Sequence, residues 1–244
     1  MSQLAHTHPR RATEILDASF RFYRAHFGDL LVVSALLLVP LALVGALAPE
    51  WIGRLIQLLD NWMYLIVQAV VAVIVAAALE RDQALSAGEA FREFGGRAGT
   101  IIVVSIVTGL MIGLGFILLI VPGVIALAWT AAALPIAAIE GLPTGQAITR
   151  SRELARGQIG HVLGTMLLAW VIVLALMFGI ALALGAVASM FSLPERLSNM
   201  IVELVMVPLF PLIGVAMTML YYDLRVRNEG ADVMAMVDAL PDTP

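Results

Sequence analysis

Between Ala98 and Ile139 the chain runs forty-two residues without one charged side chain. One helix of that length would measure about 63 Å, twice the ~30 Å hydrocarbon core of a bilayer. Pro122-Gly123 sits near the middle of the run. Proline lacks a backbone N–H and glycine reaches conformations closed to other residues, so the pair predicts a turn. The run therefore divides into two spans, about residues 100–120 and 124–139, with almost nothing of the turn outside the membrane.

Four further apolar blocks, about residues 30–48, 61–79, 161–190 and 198–222, have the same character. Trp51 and Trp62 bracket the expected loop between the first two, as interfacial residues do. Ala46-Leu47-Ala48 has the spacing of a signal-peptidase site. However, twenty-nine residues precede that apolar run and it is longer than a signal sequence needs, so the span is expected to be retained. The chain is 61% apolar and 13% charged, against roughly 45–50% and about 25% in soluble domains. Water could not be the solvent for so much apolar surface.

Three short amphipathic stretches precede the pairs of spans. In Thr13–Phe27, Leu16, Phe20, Tyr23 and Phe27 form one aromatic stripe, with Thr13 as the expected cap. Ser86 with Glu89 is a capping-box spacing, followed by Ala90, Phe91 and Phe94. Thr144 is the expected cap of the third, whose less polar face carries Ala147, Ile148, Ser151, Leu154 and Ala155. Shifting the first copy by 132 residues lays Ser19 on Ser151, Arg24 on Arg156 and Gly28 on Gly160. The expectation is a single all-α domain over residues 1–244. It is polytopic, with six transmembrane helices arranged as three parallel helix hairpins, each preceded by a short cytoplasmic interfacial amphipathic helix.

Every one of the fourteen basic residues is arginine. In a six-span topology, twelve fall on the side of the termini: Arg10, Arg11, Arg21, Arg24, Arg81, Arg92, Arg97, Arg150, Arg152, Arg156, Arg225 and Arg227. Arg54 and Arg196 fall on the other. Arginine excess marks the cytoplasmic side, so both termini are expected to be cytoplasmic.

Cysteine is absent and the net charge is −4, which removes thiol chemistry and argues against a nucleic-acid partner. No nucleophile elbow, phosphate-cradling loop or metal-ligand cluster is written in the chain, and no cofactor or metal is expected. His6 and His8 lie in a polar terminus without supporting ligands. His161 opens the fifth span, where an interfacial histidine needs no function. Trp129 and Trp170 are expected to pack in the core. Gly109 and Gly113 form a small-xxx-small pair that favours close helix approach. Pro208 and Pro211 should bend the sixth span.

Two groups carry candidate function. Glu203 lies about one turn inside the sixth span, where it either handles a ligand or proton or snorkels to the interface. Glu140, Arg150, Ser151, Arg152 and Arg156 face Asp223 and Arg225 across the expected cytoplasmic ends. They either fix the rim by ion pairs or hold lipid phosphates.

The central stretch VPGVIALAWTAAALPIAAIEGLPTGQAITRSRELARGQIGHVLG resembles the signature of the glycerophosphoryl diester phosphodiesterase membrane-domain family and related bacterial membrane proteins. The residues are Pro122, Gly123, Glu140, Gly141, Ala147, Ser151 and Gly157. EILDASFRFYRAHFG and YYDLRVRNEG resemble the family's ends through Tyr222, Asp223, Arg225, Glu229 and Gly230. The resemblance implies a six-span module of the bacterial inner membrane. It implies no hydrolysis, because the soluble barrel with acidic metal ligands has no counterpart: nineteen residues follow Arg225. The leading expectation is a non-enzymatic lipid-interacting scaffold or partner subunit, bound to anionic phospholipid, a protein partner or a second copy. A carrier for a small or lipidic substrate is the alternative, and an intramembrane enzyme the third.

Overall fold

The computed structural model describes residues 10–83 and 85–238. His6, His8 and Leu240 lie outside the described residues, as do the side chains at 50, 53–61 and 230–238. Regular structure among the described residues is helical throughout. In order come α1 (Ala12–Ala25), α2 (Phe27–Leu47), α3 (Glu50–Glu80), α4 (Ala87–Gly95), α5 (Ala98–Leu118), α6 (Ile120–Thr130) and α7 (Ala133–Ile139). Then follow α8 (Thr144–Ala155), α9 (Ile159–Met190), α10 (Glu195–Met206), a 3-10 turn (Val207–Leu209) and α11 (Phe210–Asp238). Six stretches are long and apolar enough to cross a membrane: Phe27–Leu47, Trp62–Glu80, Ala98–Leu118, Ile120–Ile139, Ile159–Met190 and Glu195–Glu229. The all-α, multi-pass class expected from the sequence is what folds.

The core lies between α3 and α11. Val67, Val70, Val71, Ile74 and Val75 of α3 meet Leu212, Val215, Ala216 and Leu220 of α11, all buried. A helix with apolar residues on every face belongs inside, and α3 has that pattern over this stretch. α11 also packs on α1, α7, α8 and α9. α9 is the opposite case. It buries Val162, Thr165, Met166, Ala169 and Val173 in its first half, and exposes Leu174, Phe178, Leu182 and Met190 beyond.

Several local expectations change. α1 starts at Ala12 rather than at a Thr13 cap. Arg11 is the N-cap residue, and its N–H donates to the Glu14 carboxylate at 2.8 Å. Its buried face is Ile15, Leu16, Ser19 and Phe22, while Phe20 and Tyr23 are half-buried and Phe27 is exposed. The stripe is rotated because α1 packs against α9 and α11. Trp51 and Trp62 both lie on α3, so the connection they were expected to bracket shrinks to Ala48-Pro49. Ser86 caps α4 as its spacing predicts: its Oγ accepts from the Glu89 N–H, and Glu89 accepts from the Ser86 N–H at 2.9 Å. Thr144 is the first residue of α8, and Pro143 holds the cap position.

The turn after α5 is made by Leu119, with φ −167° and ψ 160°, and Pro122-Gly123 lies inside the first turn of α6. A Cβ on Gly109 or Gly113 would meet no neighbouring helix within 4 Å. The close approach is Gly115 on Gly123, where a Cβ on Gly115 would come within 2.8 Å of the Gly123 Cα. The fourth span is two helices, broken at Ala131-Ala132 ahead of Pro135. Pro208 and Pro211 split the sixth span at the 3-10 turn, and the Pro208 carbonyl accepts from Tyr23 Oη at 2.7 Å.

Candidate functional site

α11 is a hub because successive residues on a helix point about 100° apart. Tyr221, Tyr222 and Asp223 therefore aim at three different neighbours. Tyr221 Oη donates to Glu140 at the end of α7, at 2.7 Å. Tyr222 Oη donates to Glu80 at the end of α3, at 2.9 Å. Asp223 meets His161 Nε2 near the start of α9, at 2.8 Å. A carboxylate only accepts, so that ring nitrogen carries the hydrogen.

Asp223 has a side chain 1% exposed and collects two more donors. Arg227 Nε lies at 2.7 Å and the backbone N–H of Arg10 at 2.6 Å. Arg227 also donates to the Arg10 carbonyl, which ties the chain ahead of α1 into the same knot. Burying a carboxylate is expensive unless its lone pairs are filled, and here three donors fill them. Arg225 donates to Glu229 at 3.1 Å and to Glu80 at 3.3 Å. Arg150 of α8 donates to Glu229, and Asn228 Nδ2 donates to the Leu154 carbonyl at 2.9 Å. Arg97 Nη1 donates to the carbonyls of Ala138 and Ile139, at the C-terminus of α7 where a cation is favoured. These bonds gather the starts of α1 and α9, the ends of α3 and α7, α8 and the polar part of α11 at one end of the bundle.

The arginines of α8 part company by geometry. Arg150 and Arg152 are two residues apart, about 200° around the helix, whereas Arg152 and Arg156 share a face. Arg150 goes to α11. Arg152 stacks over the Trp129 ring, with its guanidinium carbon 4.3 Å from the ring centroid. Arg156 ends α8, and Gly157 follows at φ +76°, a left-handed turn into α9 that other residues resist. With Thr149, Glu153 and Ile159, these residues line an open cleft of about 440 Å³.

Ser151 is on neither surface. It is fully buried, and its Oγ accepts from the Ala132 N–H at 3.2 Å. That amide sits at the break between α6 and α7, so Ser151 satisfies a donor at a helix end. Its counterpart in the repeat, Ser19, is equally buried and donates to the Ile15 carbonyl at 2.7 Å. Glu203 is half-buried on α10, one turn ahead of the 3-10 turn.

The structure thus brings Glu140, Arg150, Asp223 and Arg225 together on α11 and sets Arg152 and Arg156 apart in a cleft. Sequence reasoning passed over His161, Tyr221, Glu80 and Trp129 as site residues. Glu80 and Glu140 each end a second span, and Asp223 stands at the matching place after the third. That periodicity was the available signal. Trp129 gave none, because a tryptophan in an apolar run reads as core. Trp170, expected in the core, is 42% exposed. No protein-family model, characterised protein or solved structure matches the chain.

Proposed function

We propose that this is a non-enzymatic multi-pass protein of the bacterial inner membrane that holds an anionic phospholipid headgroup in the α8 cleft and serves as a scaffold or partner subunit. The observation that carries the reading is the unequal use of the arginines. Arg81, Arg150, Arg225 and Arg227 each meet a carboxylate. Arg152 and Arg156, like Arg11, Arg21, Arg24 and Arg92, make no ion pair among the described residues; what sets these two apart is that they share one cleft with the Trp129 indole, with Glu153 as its single carboxylate. Two like charges on one helix face repel by a few tenths of a kcal/mol, and a phosphate between them reverses that sign. Trp129 supplies the amphipathic ring that interfacial sites use.

Each arginine near an anionic surface contributes about 1 kcal/mol. Removing both should therefore weaken headgroup binding about thirtyfold. Native mass spectrometry from mixed phosphatidylglycerol and phosphatidylcholine nanodiscs measures it. Wild type and Arg150→Ala should retain phosphatidylglycerol, and Arg152→Ala/Arg156→Ala should lose it. Equal retention by all three overturns the reading.

Cytoplasmic termini are part of the proposal, supported by the arginine tally. A reporter fused after Pro244 should read cytoplasmic, and a periplasmic signal refutes this orientation. Membership in the glycerophosphoryl diester phosphodiesterase membrane-domain family is part of the proposal and rests on the motif resemblance, two of whose positions have local roles here: Gly141 has φ +67° and Ser151 closes the α6–α7 break. A carrier is the second reading, favoured by two discontinuous spans and by Glu203 beside one break. Uptake by proteoliposomes that is abolished in Glu203→Gln but intact in Arg152→Ala/Arg156→Ala would establish it instead.

A further inference from the structure

α1 is tied to the sixth span at both of its ends. At its start, the Arg10 N–H donates to Asp223 at 2.6 Å and Arg227 donates to the Arg10 carbonyl. Near its finish, Tyr23 Oη donates to the Pro208 carbonyl at 2.7 Å. Between the tethers, Leu16, Ser19 and Phe20 share one apolar crevice with Leu212, Ile213 and Ala216 of α11, and with Ala169, Ile172 and Val173 of α9. Partner numbers fall along the sixth span as they rise along α1, so the two run antiparallel. Arg10 to Tyr23 covers about 20 Å of helix and Pro208 to Asp223 about 22 Å, so α1 keeps to that span over its whole length. A helix packed along a span points across the bilayer, whereas an interfacial helix lies in its plane.

We infer that α1 stands upright in a collar outside the hydrocarbon, with its acidic end toward water and with Arg21 and Arg24 on anionic phospholipid headgroups. Three observations support this. The first is the order of charges. Glu14, Asp17, Arg21 and Arg24 recur at steps of three and four residues, so they share one face of α1, and all four are exposed. Such a face is costly in hydrocarbon. The charge-free run of the first span begins at Leu30, within two turns of Arg24. The arginines are therefore at the end next to the bilayer and the acids at the end away from it, the order that an anionic surface selects.

The second is length. α9 has 32 residues, about 48 Å, and overshoots a ~30 Å hydrocarbon core by about 18 Å. α1 has 14 residues, about 21 Å. It packs on the part of α9 that is in excess: the buried residues of α9 run from Val162 to Val173, and Leu174, Phe178 and Leu182 beyond them are exposed. The third is Trp170. It lies between Ala169 and Ile172 of the crevice, level with the later turns of α1, and is 42% exposed. From Trp170 to Met190 α9 measures about 30 Å, one hydrocarbon thickness. An amphipathic indole belongs at such a boundary.

The occupant of the arginine end is a lipid surface because Arg21 and Arg24 sit where a charge-free span begins and make no ion pair among the described residues. This contact extends the proposed lipid binding to a second helix and does not depend on the α8 cleft.

The chain has no cysteine, so single nitroxides report without background. They are placed through Glu14→Cys, Asp17→Cys, Arg21→Cys and Arg24→Cys in vesicles, with Gln83→Cys as the water reference and Leu174→Cys as the hydrocarbon reference. Because the four sites share one face, an in-plane helix holds them all at one depth. An upright helix spreads them over about 15 Å. Collision with a water-soluble nickel chelate should fall, and collision with oxygen rise, at each step from Glu14→Cys to Arg24→Cys. Equal values at the four sites overturn the upright α1. Low collision with both reagents at all four means that protein covers the stripe, which overturns it as well. The headgroup contact is read separately in the Arg152→Ala/Arg156→Ala background, by native mass spectrometry from mixed phosphatidylglycerol and phosphatidylcholine nanodiscs. Adding Arg21→Ala/Arg24→Ala should weaken the remaining phosphatidylglycerol binding about thirtyfold. No further change, or no phosphatidylglycerol left to lose in that background, overturns the contact.

Discussion

The two ends of the bundle are held by opposite means. At the polar end each helix is fixed by a nameable donor and acceptor: α7 through Glu140 and Tyr221, α3 through Glu80 and Tyr222, α9 through His161 and Asp223. At the tip of α5–α6 the helices are fixed by a missing side chain, since only glycine at 115 lets the legs meet. The first kind of contact selects its partner chemically. The second accepts any neighbour that is small enough.

The sharpest way to break the comparison is Asp223→Ala. It strands Arg227, His161 and the Arg10 N–H in a buried place, and removing one partner of a buried pair costs about 3–5 kcal/mol. Thermal unfolding in detergent should show the largest loss of any single change at this end. Next is Gly115→Ala, whose Cβ would press on backbone at Gly123. Overpacking of this kind costs about 1–3 kcal/mol, whereas Gly109→Ala and Gly113→Ala, which face open space, should leave the melting curve unchanged.

Ser151→Ala removes the acceptor for the buried Ala132 N–H, a loss of about 1–3 kcal/mol. Arg152→Ala in the same helix should cost less, about 0.5–1 kcal/mol, since its contact is a surface cation–π stack. Equal effects would erase the distinction between the buried and cleft faces of α8.

The smallest effect is in pH. The hydrogen bond from Arg81, aided by its charge, holds Glu93 below its ordinary carboxylate value of 4.5. A depressed carboxylate stabilises the fold above its unfolded value and loses that contribution as pH falls through the folded one. Because Arg81 is half exposed, the loss between about pH 5 and 3 should be a few tenths of a kcal/mol. Glu93→Gln should flatten that part of the stability curve.

The same contrast explains what could be read in the sequence. Charges are scarce in this chain, so the meeting of Glu140, Arg150, Asp223 and Arg225 could be anticipated from their positions at span ends. Apolar residues resemble one another. Nothing distinguishes Leu119 from its neighbours as a turn, Ala131-Ala132 as a break or Ile15 from Leu16 as the more buried, because those outcomes depend on which helix lies opposite. Gly115 was visible only as one of several glycines, and Trp129 became a site residue only once α8 was seen to lie over it.

Tyr221, Tyr222 and Asp223 also impose a schedule. Their partners lie 81, 142, 62 and 213 residues earlier in the chain, at Glu140, Glu80, His161 and Arg10. During synthesis all four emerge from the ribosome and wait with unmatched polar groups until α11 follows. The earlier helices can enter the bilayer one by one, but the assembly cannot lock until α11 is threaded in beside α3. A nascent chain paused before Phe210 should therefore be inserted yet open to proteolysis, and release of the remaining residues is the step that closes it.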